Sequence, residues 1–217
     1  MDRVLFVQLF VLVACIVALR FTLWRAILFV RPDSLRIEAD EPPRKWDGKE
    51  WGLLPLALRG AAAELQSLGF VPLGTHVEKP LFGPGRTCFD FVSVEHKAHA
   101  TLFEGPDGEP RVYLLSTLEG GGYVVSAGYR RSAMEIPGRY LSGYIENASA
   151  ERVARAHLRR AEGLPAVLDE TLEGRVEAQR AWYVGWGKSE VRQRNARGLL
   201  WTLGTLGMVG WIIVGIL

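Results

Sequence analysis

Cysteine is scarce in this chain. There are 2 in 217 residues, Cys15 and Cys88, and the first stands inside an apolar run, which excludes a disulfide framework and suits a reducing compartment. A surplus of one charge is missing too. Lys and Arg number 26 against 24 Asp and Glu, a net charge of +2, which argues against a nucleic-acid partner. No self-similar period of roughly 20–50 residues recurs, so solenoids and propellers are excluded. The compact motifs of phosphate and hydrolase chemistry are absent as well. Phe82-Gly83-Pro84-Gly85-Arg86-Thr87 has neither the lysine nor the spacing of a Walker loop, and strand-type residues follow it. Glu119-Gly120-Gly121-Gly122 reads as a hairpin turn, and no G-x-S-x-G surrounds Ser116 or Ser126. The residues therefore imply no catalytic set, no bound cofactor and no metal.

Long apolar runs, by contrast, occupy both ends. No charged residue occurs from Val4 to Leu19 or from Leu199 to Leu217. Each run supplies about the 17–25 residues that cross a hydrocarbon core of about 30 Å. The first continues past Arg20 through Phe21, Leu23, Trp24, Ile27, Leu28 and Phe29, with Arg20 and Arg25 able to reach toward headgroups. Leu12-Val13-Ala14-Cys15 has the look of a lipoprotein cleavage box, but Ile16-Val17-Ala18-Leu19 follows it where a polar linker belongs, so Cys15 reads as a residue of a membrane helix.

Basic residues set the expected orientation. Arg20, Arg25, Arg31 and Arg36 follow the first run, and Arg180, Lys188, Arg192, Arg194 and Arg197 precede the second, with only Arg3 on the opposite side. The positive-inside rule then predicts two spans in an inner membrane, the central domain cytoplasmic and both short termini outside. The partner expected first is the lipid bilayer, then a membrane protein or a second copy of the chain. Gly204, Gly207 and Gly210 make a small-residue stripe suited to close helix packing, and Trp182, Trp186 and Trp201 suit the interface. Arg outnumbers Lys about four to one and Ala and Gly are plentiful, a usage associated with GC-rich bacterial genomes.

Between the spans the patterning predicts an α+β fold: an antiparallel β-meander of about five to six strands packed with two or three helices. The divisions are 1–31, membrane helix and juxtamembrane segment; 32–50, linker; 51–163, α+β domain; 164–198, helical connector with a basic end; and 199–217, the second membrane helix. Leu58, Ala62, Leu65 and Leu68 predict a helix from Leu54 to Leu68, stopped by Gly69. Strands follow at 70–79, 87–94 and 98–104; then a hairpin turn at Gly105-Pro106-Asp107-Gly108; then strands through Arg111–Leu118, Tyr123–Arg130 and Arg139–Ile145. Alternation puts Phe89 and Phe91 on one face and Cys88, Asp90 and Val92 on the other. Asn147 and Ser149 offer caps to a helix over 150–160, and a third helix is expected from Pro165, bent at Gly185 or Gly187 before the second span.

Arg152, Arg155 and Arg159 recur at helical spacing, giving a basic stripe for anionic lipid or an acidic partner; Lys188, Arg192, Arg194 and Arg197 do the same beside the membrane. Cys88, Asp90, His96 and His99 are the one candidate reactive group, although positions 96 and 99 face opposite sides of a strand; His76 and His157 stand isolated. The reading that follows is a membrane-anchored bacterial protein whose cytoplasmic domain is a non-enzymatic interaction or sensing module. The alternatives are a membrane enzyme using Cys88, Asp90, His96 and His99 where domain meets bilayer, and a structural subunit of a membrane complex.

Overall fold

A computed structural model describes residues 3–31, 35–39, 54–79 and 85–216, with the side chains at 3–5, 194, 215 and 216 excepted. The chain forms two compact units, Met1–Ser34 with Gly187–Leu217, and Leu35–Trp186.

The first unit is built from helix α1, Arg3–Val30, and helix α5, Trp186–Ile216. Two stretches within them, Phe6–Val30 and Asn195–Val214, are long and apolar enough to cross a membrane. Cys15 lies mid-helix in α1 with Sγ 3.7 Å from Met208 Sδ, so this thiol packs between the helices. Thr22, Asn195, Thr202 and Thr205 each donate to the carbonyl four residues earlier on their own helix. The close approach of α1 falls at Gly198, beside the Arg25 stem, whereas Gly204, Gly207 and Gly210 have open space where a side chain would project.

The second unit is a nine-stranded sheet with helices on both faces. Helix α2, Leu56–Ser67, ends before Gly69, whose φ of +81° only glycine adopts without strain. Strands β2 (Val71–Lys79), β3 (Arg86–Ser93), β4 (Ala98–Glu104), β5 (Pro110–Leu118) and β6 (Gly122–Ala127) make the antiparallel meander, joined by short turns such as that at Gly108. Helix α3, Ala150–Ala161, starts at Ser149, whose hydroxyl caps the amide of Arg152. Phe89, Phe91, Ala98, Ala100, Leu102, Val112 and Leu114 form one apolar face, closed by Leu58, Ala62 and Leu65 of α2 and Val153 and Ala154 of α3.

Three further strands raise the count above the five to six expected: β1 (Arg36–Ala39), β7 (Met134–Ile136) and β9 (Ala166–Val167). At 4, 3 and 2 residues they are too short for alternation to register in the sequence. β1 lies in the stretch read as linker and pairs with β2. Strand β8, Tyr140–Tyr144, adds to β6 in parallel, because the chain first runs back and forms β7 on the outer edge. The helix expected from Pro165 starts later. β5 continues beyond its last pairing with β4 at His99, and β9 takes the free edge at Thr117 and Leu118. Asp169 then accepts the Thr171 amide, and Thr171 caps helix α4, Leu172–Val184. Gly185 separates α4 from α5, as its position predicts. Trp182 and Trp186 pack on the sheet domain: Trp182 donates to the Tyr140 hydroxyl at 3.0 Å, and Trp186 stacks on the Tyr140 ring at 5.2 Å.

Candidate functional site, a buried polar layer under helix α4

The second face of the sheet is polar where the first is apolar. Alternation carries His76 and Glu78 of β2, Cys88 and Asp90 of β3, Thr101 of β4 and Tyr113 of β5 to this side, all buried. Asp90, Thr101 and Tyr113 are direct cross-strand partners, and His76 stands opposite Cys88. A β-bulge between Pro72 and Gly74 re-aims β2 just before His76, and the missing side chain of Gly74 admits Leu172 of α4. Helix α4 buries Leu172, Arg175, Val176, Gln179 and Tyr183, so two polar residues sit in its apolar stripe.

Those two residues close the layer. Arg175, 0% exposed, donates through Nη2 to Thr101 Oγ1 at 2.6 Å and Tyr113 Oη at 2.9 Å, and its Nε lies 3.3 Å from Asp90 Oδ1. Thr101 donates to the same Asp90 oxygen at 2.6 Å, and His76 Nδ1 meets the other. Gln179 donates to Glu78 Oε1 at 2.6 Å. Arg86 pairs with Glu78 Oε2 and lies 3.8 Å over the Phe103 ring, exposed on its outer side.

Charge is strongly organised here. Burial disfavours the ionised forms of Asp90 and Glu78, but His76 and Arg175 hold Asp90 below the ordinary carboxylate range, and His76 and Arg86 bring Glu78 down to about 2. Burial also opposes a proton on His76, yet the adjoining Asp90 carboxylate raises its pKa well above the ordinary value. Burial and the Glu78 charge push the Cys88 thiol upward. His76 Nε2, Arg175 Nη1 and Gln179 Oε1 are buried and lack hydrogen-bond partners. His76 Nε2 lies 3.7 Å from Glu78 Oε1, on the side where Cys88 stands.

A second polar group crosses the other face. His157 of α3 lies between Ser116 of β5 at 3.0 Å and Ser126 of β6 at 3.2 Å. Ser116 donates its hydroxyl proton to the Lys97 carbonyl at 3.1 Å, so its oxygen accepts from His157 Nε2–H, and Ser126 donates to Nδ1. Burial, reinforced by Arg160, lowers the His157 pKa to about 3. This is a closed chain of neutral hydrogen bonds, with no proton left for His157 to accept from Ser116.

The candidates read from sequence are dispersed by the fold. Cys88 and Asp90 enter the polar layer. His99 shares that face, but its Nε2 meets the Asp169 carbonyl at 2.9 Å, and burial with Arg175 nearby lowers its pKa to about 4. His96 lies in the turn between β3 and β4, half-buried, 6.5 Å from the Phe70 ring. Arg152, Arg155 and Arg159 line the exposed side of α3, where Arg155 pairs with Glu151 at 2.8 Å. Arg192 and Arg197 are exposed on α5 and Lys188 is half-buried; the Arg194 side chain and residues 82–84 of the glycine-rich loop lie outside the described residues. An open groove of about 550 Å³ beside β7 and β8, lined by Met134, Leu141, Gly143 and Arg160, holds none of these candidates.

The fold thus defines an α+β protein with a mostly antiparallel nine-stranded sheet and two apolar helices of membrane-spanning length near its ends. No family model, curated protein or solved structure matches the chain.

Proposed function

We propose that the chain is a bacterial inner-membrane module, in which α1 and α5 span the bilayer and the sheet domain works in the cytoplasm by binding or sensing rather than by turnover. The observation that carries this reading is the closure of the reactive groups. Ser116 and His157 complete each other's hydrogen bonds in the interior, and His99 is tied to a backbone carbonyl. His96 stands apart from Cys88 and Asp90, so the four residues of the enzyme reading do not converge. The charge bias around the spans supports the orientation: Arg20, Arg25, Arg31, Lys188, Arg192, Arg194 and Arg197 lie on the domain side against Arg3 on the other. Exposed Arg152 and Arg159 remain available to anionic lipid or an acidic partner.

Reporter fusions test the placement. Asp107 lies in the exposed β4–β5 turn, so a reporter that works only in the cytoplasm, inserted there, is active, and the same reporter after Leu217 is silent. Activity at the C-terminus would show that α5 does not cross. Silence near Asp107 would invert the arrangement. Crosslinking in membranes followed by purification recovers a specific partner through the domain; a solitary protein that turns over a substrate refutes the binding role.

A further inference from the structure

We propose that His76, Glu78 and Cys88 form a binding site for a divalent transition-metal ion of the zinc type, with Asp90 as the outer carboxylate that orients His76. The ligand atoms of these residues all lie within 4.8 Å of one another, and all three residues are buried. Tetrahedral zinc sites have bonds of about 2.0–2.3 Å, which place ligand atoms about 3.5 Å apart, so modest side-chain adjustment closes the set around an ion.

The tautomer of His76 points the same way. Its Nδ1 is engaged by Asp90, which leaves Nε2 as the coordinating nitrogen; that atom is fully buried, without a hydrogen-bond partner, and 3.7 Å from Glu78 Oε1. A carboxylate behind an imidazole whose other nitrogen faces a thiol is the arrangement in which protein metal sites hold their histidines. Thiolate, imidazole and carboxylate together select a borderline ion such as zinc over calcium or magnesium.

Two arginines adjoin the site, and they do not make it cationic. Arg86 binds Glu78 through Oε2, and Oε1, which accepts one hydrogen bond from Gln179, keeps its second lone pair for an ion on the His76 side, while Arg175 is held by Asp90, Thr101 and Tyr113. When the ion binds, the Cys88 thiol proton and the Nε2 proton of His76 both leave to solvent; the thiolate with the Glu78 and Asp90 carboxylates then outweighs the two guanidiniums, so the divalent ion sits in a net negative site. The exposed Arg86 side chain covers the outer end of the layer, and its rotation off Glu78 and Phe103 supplies the entry path.

This inference is independent of the membrane-tethered reading, since it concerns the interior of the sheet domain alone. The test uses the full-length chain in detergent carrying Cys15→Ser, which leaves Cys88 as the sole thiol. After chelator treatment the protein is titrated with Co²⁺ and then Zn²⁺. The expected result is one Co²⁺ per chain with a thiolate-to-cobalt charge-transfer band, abolished by equimolar Zn²⁺. Asp90→Asn weakens binding about 10–100-fold, the usual effect of losing an outer partner, and His76→Gln weakens it at least as much. His96→Ala and His99→Ala bind like the parent. A folded parent that shows no charge-transfer band with stoichiometric Co²⁺ overturns the proposal, as does a band that survives Cys88→Ser. The band in the parent is itself decisive should the Cys88 variant fail to fold. None of these results alters the reporter outcomes that test the orientation.

Discussion

Replacing Arg175 by Met keeps the length of the side chain while removing its charge, and so isolates what the guanidinium does under α4. In the native layer it makes two hydrogen bonds, to Thr101 and Tyr113, and pairs with Asp90 at 3.3 Å, fully out of water. Removing one member of a buried pair usually costs about 3–5 kcal/mol, because the remaining charge stays desolvated. Here His76 still adjoins Asp90, so the loss belongs near the lower end, about 3 kcal/mol. For a domain of this size that corresponds to a fall in Tm of about 6–12 °C. Chemical unfolding of the detergent-solubilised chain, followed by tryptophan fluorescence, measures the change, and Asp90→Asn and the Asp90→Asn/Arg175→Met double variant complete a cycle. Both single variants strand a charge that the double variant does not, so the double loses less than the sum by about 1–3 kcal/mol. Additivity within about 0.5 kcal/mol would show that Arg175 and Asp90 do not act on each other, and the polar layer as described would be wrong.

Acid should weaken the fold well above the carboxylate range. His157 and His99 are kept neutral by burial, with pKa values lowered from 6.5 to about 3 and about 4, so their stabilisation is present above 6.5 and is lost as pH falls, when the unfolded chain takes up protons that the folded chain refuses. His76, shifted upward, adds no slope well below 6.5, so near pH 5 the two histidines make stability decline by about 3 kcal/mol per pH unit, twice the single-site value, with the depressed Glu78 and Asp90 carboxylates adding to it as pH falls further. His157→Gln should roughly halve that slope in unfolding measured across pH 4.5–6; an unchanged slope would mean that His157 titrates normally. Gly122→Ala should destabilise by about 1–3 kcal/mol, because a Cβ there would lie 2.5 Å from the Arg139 carbonyl where β6 meets β8; an alanine variant as stable as the parent argues against that parallel pairing.

The long elements were legible because their periods are strong. Leu58, Ala62 and Leu65 mark α2, and strand alternation by itself splits Phe89 and Phe91 from Cys88 and Asp90, giving the two faces of β3. The short strands carry too few residues to show a period, and the parallel β6–β8 pair depends on a return path rather than on either strand's composition. The polar layer was hidden for a different reason: its members come from four strands and a helix, and only Cys88 and Asp90 among them stand out in the sequence. A signal was nevertheless present. His76 and Glu78 alternate with Cys88 and Asp90 on matching strand faces, while Arg175 and Gln179 fall four apart within the apolar spacing of Leu172, Val176 and Tyr183. Local spacing favoured His96 and His99 instead, yet the turn that separates them leaves one beside Phe70 and sends the other to a backbone carbonyl.

The margins of the sheet bear on how such a domain would behave when crowded. At raised local concentration a long bare strand margin templates growth from one molecule to the next. Among the described residues the outermost strand on each side is short. β1 has 4 residues, bears Arg36 and Glu38, joins Glu38 to Lys79, and has its Ile37 carbonyl taken by Arg180. β7 at the other margin has only 3 residues. Short, charged outer strands of this kind are poor templates for backbone pairing from one copy of the domain to the next.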